Sequence, residues 1–221
     1  MSVVLVVAAH PDDEILGAGG TLAKHVARGD EVHALVMSEG ASSRYEQGAE
    51  QTLRDSARRS AEKIGFASIR LLDMPDQRLD AVPLIEVTQT LEPFVFDLQP
   101  ETVYTHTPVD VNTDHGIVSR ATWTACRPYS TPWLKRILAF ETPSSTEWAW
   151  PLPDSGFQPN WYVDVSETLE RKLEAMDQYE TELRDYPHPR SLRALEERAR
   201  FWGSHIGVEA AEPFVVLRAR D

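Results

Sequence analysis

His10, Asp12, Asp13 and Glu14 fall within five residues, immediately after the apolar run Val3 to Ala8. An imidazole and three carboxylates therefore collect at the carboxyl end of a predicted strand, the edge where open α/β sheets bind ligands. Concentrating ionisable groups there is costly unless a cation or a reaction uses them. His10 and Asp13 straddle the strand end and the following helix start, and together suit two ligands of a divalent transition metal. A catalytic zinc usually takes three protein ligands and keeps one position open. The best third donor is His115 in Asn112-Thr113-Asp114-His115, a segment that also follows a strand and so reaches the same edge. The resulting His2Asp set suits Zn2+, and Fe2+ or Co2+ would also fit it.

With that set complete, Asp12 is left beside the cation as a general base for a water attacking a carbonyl. Asp114, next to His115, is placed to hold an imidazole in the right tautomer. The implied reaction is hydrolysis of an amide or ester. Each piece alone has a plainer reading. Acids at a helix start are favourable capping and dipole chemistry, and an Asp-His pair at a helix start is usually solvated. Their meeting at one sheet edge is what carries the chemical reading.

The elements needed to position these groups alternate strand and helix through the first half, which predicts a parallel sheet with helices on its faces. Strands are expected at Ser2 to Ala8, Glu31 to Met37, Ile69 to Leu72, Thr102 to Thr105 and Lys135 to Phe140. Helices are expected from about Ile15 to Arg28, Glu46 to Ile64, Val82 to Asp97 and Asp114 to Ala125. A loop rich in Pro, Ser and Trp covers Pro143 to Pro159. Tyr162 to Val165 then reads as a last inner strand, Glu167 to Arg184 and Ser191 to His205 as amphipathic helices, and Pro213 to Leu217 as a closing strand. One domain over 1–221 is expected, with its core at about 1–142 and the loop, helices and final strand at 143–221.

Composition bounds the function further. The 221 residues carry a formal charge of -13, which argues against nucleic acid as a partner and otherwise serves solubility. Cys126 is the only cysteine, so no intramolecular disulfide or thiolate metal site is available. The N-terminus lacks a basic n-region, and no apolar stretch reaches the roughly 18 residues of a membrane span. The expected location is the cytoplasm.

Ala9-His10-Pro11-Asp12-Asp13-Glu14 followed by Leu16-Gly17-Ala18-Gly19-Gly20-Thr21-Leu22 resembles the signature of the PIG-L/LmbE-like zinc-dependent de-N-acetylases. The resemblance continues through Pro75-Asp76-Gln77-Arg78-Leu79-Asp80 and Tyr104-Thr105-His106 to Asn112-Thr113-Asp114-His115. It implies a Rossmann-like α/β fold and removal of N-acetyl groups from N-acetylglucosamine-type sugars, the substrate being a nucleotide-linked, lipid-linked or small glycoside form. It also implies His10, Asp13 and His115 as zinc ligands and Asp12 as base, in agreement with the reading above. Hydrolysis of another N-acyl or N-formyl amide, or non-catalytic binding of a sugar or nucleotide on the same scaffold, are the alternatives. The resemblance leaves a homo-oligomer open.

One departure matters. Many family members carry His-Pro-Asp-His where this chain has Asn112-Thr113-Asp114-His115. The first His there is often assigned as general acid or oxyanion stabiliser, whereas Asn112 can donate a hydrogen bond but deliver no proton at neutral pH. Asp12 returning its proton, with Asn112 orienting the carbonyl, is the favoured substitute; His106 and His188 are others. For substrate contacts, Arg44, Asp76, Arg78, His106, His188 and Arg190 are the candidates, the last two presented by Tyr186-Pro187-His188-Pro189-Arg190. The arginines read equally as surface residues, and the double-Pro segment as a helix break. Trp148 and Trp150 read either as sugar platforms or as loop anchors. Gly17, Gly19 and Gly20 lie inside a helix, so they suit close packing on the sheet and not a dinucleotide loop.

Overall fold

The computed structural model describes residues 1–43, 49–151 and 156–221. Its centre is β1 (Val3–Ala8), hydrogen-bonded in parallel to β2 (Glu31–Ser38) on one side and β4 (Thr102–His106) on the other. Outside β2 lies β3 (Ser68–Met74), and outside β4 lies β5 (Arg136–Phe140), both parallel. The chain then reverses sense. The last strand, β7 (Ala211–Ala219), pairs antiparallel with β5, and β6 (Trp161–Asp164) pairs antiparallel with β7, giving the order β3-β2-β1-β4-β5-β7-β6. The strand order changes direction at β1, so a crevice opens beyond the carboxyl ends of β1 and β4.

The apolar run of β1 is buried on both faces, as a central parallel strand must be. Val4 and Val6 pack into one core with α1 (Asp13–Ala27), α2 (Ala49–Ile64), α5 (Leu169–Met176) and α6 (Leu192–Ser204). Leu5 and Val7 point the other way, into a core with α3 (Leu84–Leu98) and α4 (Thr113–Ala125). This is the expected α/β architecture with helices on both faces. Among the described residues no helix is long and apolar enough to cross a membrane.

Helix α1 carries the acidic motif at its start and sits unusually close to the sheet. A Cβ at Gly17 would lie 2.2 Å from the buried Phe140 ring, and one at Gly20 2.9 Å from Val165. A buried ion pair also inserts into this helix. Lys172 Nζ donates to Glu212 at 2.6 Å and to the Leu16 carbonyl at 2.9 Å, while Glu212 accepts the N–H groups of Gly20 and Thr21 at 3.0 and 2.7 Å.

Three expectations change in the C-terminal part. The helix expected over Glu167 to Arg184 stops at Met176, because the chain turns to bury Tyr179 and set its hydroxyl 2.6 Å from Glu14. The strand expected inside the sheet near Tyr162 is its edge, while β7 is longer than expected and internal. All three follow from amphipathic and apolar runs whose partners lie elsewhere in the chain. The start of the helix expected from Glu46 lies outside the described residues.

Replacing Gly17 by Ala drives a methyl group into Phe140, and overpacking of this kind costs about 1–3 kcal/mol. Urea unfolding of Gly17→Ala is expected to show the midpoint falling with an unchanged slope. An unchanged midpoint would mean that the helix has room to move off the sheet.

Candidate metal centre

Three donors meet beyond β1 and β4. His10 leaves the end of β1, Asp13 opens α1, and His115 comes from the first turn of α4. His10 Nδ1 lies 3.2 Å and His115 Nε2 3.3 Å from the same atom, Asp13 Oδ2. The three side chains are buried, and one ligand atom from each lies within 4.8 Å of the others. A tetrahedral cation with bonds of about 2.0–2.1 Å sets its ligand atoms roughly 3.3 Å apart. The donor set fits a divalent transition metal.

The charges support that fit. Burial opposes ionisation of Asp13, but His115 and the hydrogen bond from His10 outweigh it and hold the carboxyl well below its usual range. Burial likewise opposes protonation of His10, but Asp114 and Asp13 raise it to about 10. The centre is thus built for positive charge against Asp13.

Two further carboxylates orient the imidazoles. Asp114, expected to hold a ring, does so for His10: its Oδ2 lies 3.3 Å from His10 Nε2, and its Oδ1 accepts the Leu79 N–H at 3.0 Å. His115 is oriented by Asp110, a residue not singled out from the sequence, at 3.2 Å from Nδ1. Asp110 is itself held by the Thr146 hydroxyl at 2.6 Å, the Ser145 hydroxyl and the Asn112 N–H at 2.8 Å. Its bond to Nδ1 leaves the Nε2 lone pair of His115 facing Asp13, the arrangement a ligand needs. Position alone could have flagged it, since Asp110 lies in the same strand-to-helix loop.

His106 is fully buried and stacks on His115 with centroids 4.1 Å apart and planes 14° apart. Its Nε2 accepts the Ala9 N–H at 2.9 Å, so the proton sits on Nδ1, 3.1 Å from the Thr142 hydroxyl. Burial and the neighbouring His115 push it down to about 3, and it stays neutral. It props the ligand ring from behind and forms no part of the cavity wall.

Asp12 sits at the start of α1 with φ 109°, a left-handed conformation that a non-glycine residue adopts only under strain. Glu14 secures it, one oxygen accepting the Asp12 N–H at 3.2 Å and the other the Tyr179 hydroxyl at 2.6 Å. The twist presents the Asp12 carboxyl to a cavity of about 450 Å³, and Arg190 reaches it at 3.4 Å while also donating to Glu182 at 2.7 Å. Burial first, then Asp13 and Glu182, push the Asp12 carboxyl well above its usual range, with Arg190 opposing.

Asp76, Asn112, His188, Arg190 and Trp148 line this cavity, together with Gln77. Gln77, another residue missed from the sequence, places its amide 3.0 Å from His10 Nε2 and accepts from Asn112 Nδ2 at 3.3 Å. Asn112 caps α4, its Oδ1 taking the Asp114 N–H at 2.9 Å, so only its amide group remains for other partners. The Trp148 ring meets His188 edge-on at 6.2 Å. Arg78 is exposed and neither it nor Trp150 forms part of the wall; Arg44 lies outside the described residues.

The profile of the PIG-L family, described as GlcNAc-PI de-N-acetylase, matches residues 5–126, from β1 to the end of α4. The uncharacterized deacetylase YaiS of Escherichia coli K12 is 30% identical over 149 residues, which cover 64% of this chain and 75% of that protein. Diacetylchitobiose deacetylase of Thermococcus kodakarensis is 28% identical over 193 residues, covering 81% and 69% of the two chains. Among solved structures, the conserved protein TT1542 of Thermus thermophilus superposes with a TM-score of 0.81 at 26% identity, over 100% of this chain and 97% of that one.

Asp110→Asn is expected to loosen metal binding by about 10–100-fold, the usual effect of losing a carboxylate behind a ligand histidine. Competition with a chromophoric chelator measures it, alongside circular dichroism to confirm the fold. An unchanged affinity would show that Thr142 and His106 suffice to set the His115 ring.

Proposed function

The chain belongs to the PIG-L family of de-N-acetylases, and from that premise we propose that it hydrolyses the N-acetyl group of an amino sugar or its conjugate, releasing acetate and a free amine. One observation carries this reading. A complete His10, Asp13 and His115 donor set shares a cavity with a carboxylate, Asp12, that is held out of the set by a strained backbone. A site meant only to hold a metal has no use for that carboxylate. The deacetylase names of the two curated relatives point to the same reaction class.

Bound by those three residues, Zn2+ or a similar divalent ion supplies Lewis acidity, polarising the acyl oxygen and acidifying water. Asp12 takes the proton from the attacking water. Arg190, tied to Glu182, keeps the Asp12 carboxylate aimed into the cavity. Collapse of the tetrahedral adduct breaks the C–N bond, and Asp12 returns its proton to the departing nitrogen. That assignment leaves Asn112 with no proton to deliver. Its amide, linked to Gln77, orients the acyl oxygen or a neighbouring hydroxyl. Asp76 and His188 on the same wall are assigned to sugar hydroxyls.

Assays for acetate and free amine on N-acetylglucosamine glycosides and a diacetylated disaccharide test the reaction. Asp12→Asn is expected to lower kcat at least about 100-fold, the scale of general-base catalysis, while retaining bound metal. Turnover near that of the wild type would remove Asp12 as the base. Chelation should abolish activity and Zn2+, Fe2+ or Co2+ should restore it; full activity in a metal-free preparation would overturn the metal-dependent mechanism.

A further inference from the structure

We infer that Arg198, on α6 and outside the cavity, is a positioning residue for the metal ligand His115, acting through the segment that follows β5. The inference rests on the metal-dependent reading above and adds what holds one of its ligands in place. The segment from Glu141 to Trp148 touches the site at three points. The Thr142 hydroxyl meets His106 Nδ1 at 3.1 Å, the Ser145 and Thr146 hydroxyls donate to Asp110, and Trp148 stands on the cavity wall. Ser145 Oγ also lies 3.5 Å from His115 Nδ1, the nitrogen that Asp110 holds. The setting of the His115 ring therefore depends on where this short segment lies.

The turn in this segment is strained, because Ser144 holds φ 72°, a left-handed conformation costly for any residue with a Cβ. Glu147 offsets the strain, its carboxylate accepting the Ser144 N–H at 2.9 Å and the Ser145 N–H at 3.1 Å. Arg198 grips both ends of the segment. Its Nε and Nη2 donate to the two oxygens of the buried Glu141 at 2.8 and 2.6 Å, and its Nη1 reaches Glu147 at 3.5 Å. Trp202, one turn further along α6, adds its Nε1–H to Glu141 at 2.7 Å. A guanidinium forked onto a buried carboxylate has little freedom of its own. Helix α6 thus fixes the start of the segment and the carboxylate that closes its turn, and the turn in turn holds Asp110.

A double-mutant cycle on Zn2+ affinity tests this without turnover. Arg198→Gln and Glu147→Ala, the latter leaving the Arg198–Glu141 pair in place, are each made in the wild-type chain and in Asp110→Asn. Affinity is read by competition with a chromophoric chelator, on protein whose circular dichroism matches the wild type. Each variant should loosen Zn2+ by about 3–30-fold in the wild-type chain, the range for coupling carried through packed and hydrogen-bonded groups. In Asp110→Asn the further loss should stay within about 2-fold, because the carboxylate that receives the turn's hydroxyls is already gone. Co2+-loaded Arg198→Gln should also show altered visible absorption bands, which report ligand geometry. Equal losses with and without the Asp110 carboxylate, wild-type affinity in a folded variant, or unchanged Co2+ bands would each overturn the inference. If Arg198→Gln does not fold, Glu147→Ala decides. If the cycle comes out as expected and no sugar is deacetylated, the positioning stands and the hydrolase falls. If sugars are deacetylated and the losses are additive, the reverse holds.

Discussion

A buried carboxylate oxygen, Asp13 Oδ2, receives the His10 backbone N–H at 2.8 Å and lies 3.2–3.4 Å from ring nitrogens of His10, His115 and His106. Removing that carboxylate from water is costly unless positive charge accompanies it. The His106 nitrogen already accepts from Ala9 and cannot supply a proton. The other two rings are turned by Asp114 and Asp110, so that the atoms facing Asp13 form a compact donor set. A cation would satisfy this arrangement, which the surrounding structure maintains.

That maintenance reaches far into the scaffold. Asp13 and Asp12 are positioned by the start of α1, and α1 is fixed by glycines against Phe140 and Val165 and by the Lys172–Glu212 pair. Glu14 adds a second tie, because the C-terminal part of the chain delivers Tyr179 to it. The same part of the chain brings Glu182 and Arg190 to Asp12. The C-terminal segments thus help to complete the wall facing the ligand set, although the matched family profile ends at residue 126.

The division of labour among the carboxylates follows from place more than from type. Asp13 faces three rings, Asp12 faces the cavity, and Asp110 and Asp114 stand behind the ligands. Glu14 is turned inward and is pushed up to about 7, burial being the main cause. Neighbouring acids in one short motif therefore take different roles because strand end, strained turn and helix start point them in different directions.

Local patterning in the sequence was enough to determine the parallel α/β sheet, because apolar runs ending in polar loops mark strands and their carboxyl ends without knowledge of partners. For the same reason the meeting of His10, Asp12, Asp13 and His115 in one place was legible: each lies where a strand gives way to a helix, and such ends share one edge of a parallel sheet. Asn112 was legible as a departure, but its use as the cap of α4 was not. Only the tertiary structure decided that Asp110 serves His115 while Asp114 serves His10, that His106 lies behind the site, and that Gln77 and Glu182 belong to it. It also decided that β7 lies inside the sheet and β6 at its edge, and that α5 ends early for Tyr179. These outcomes depend on hydrogen bonds and packing between residues far apart in the chain, and no period or spacing within a single segment records where such a partner will arrive.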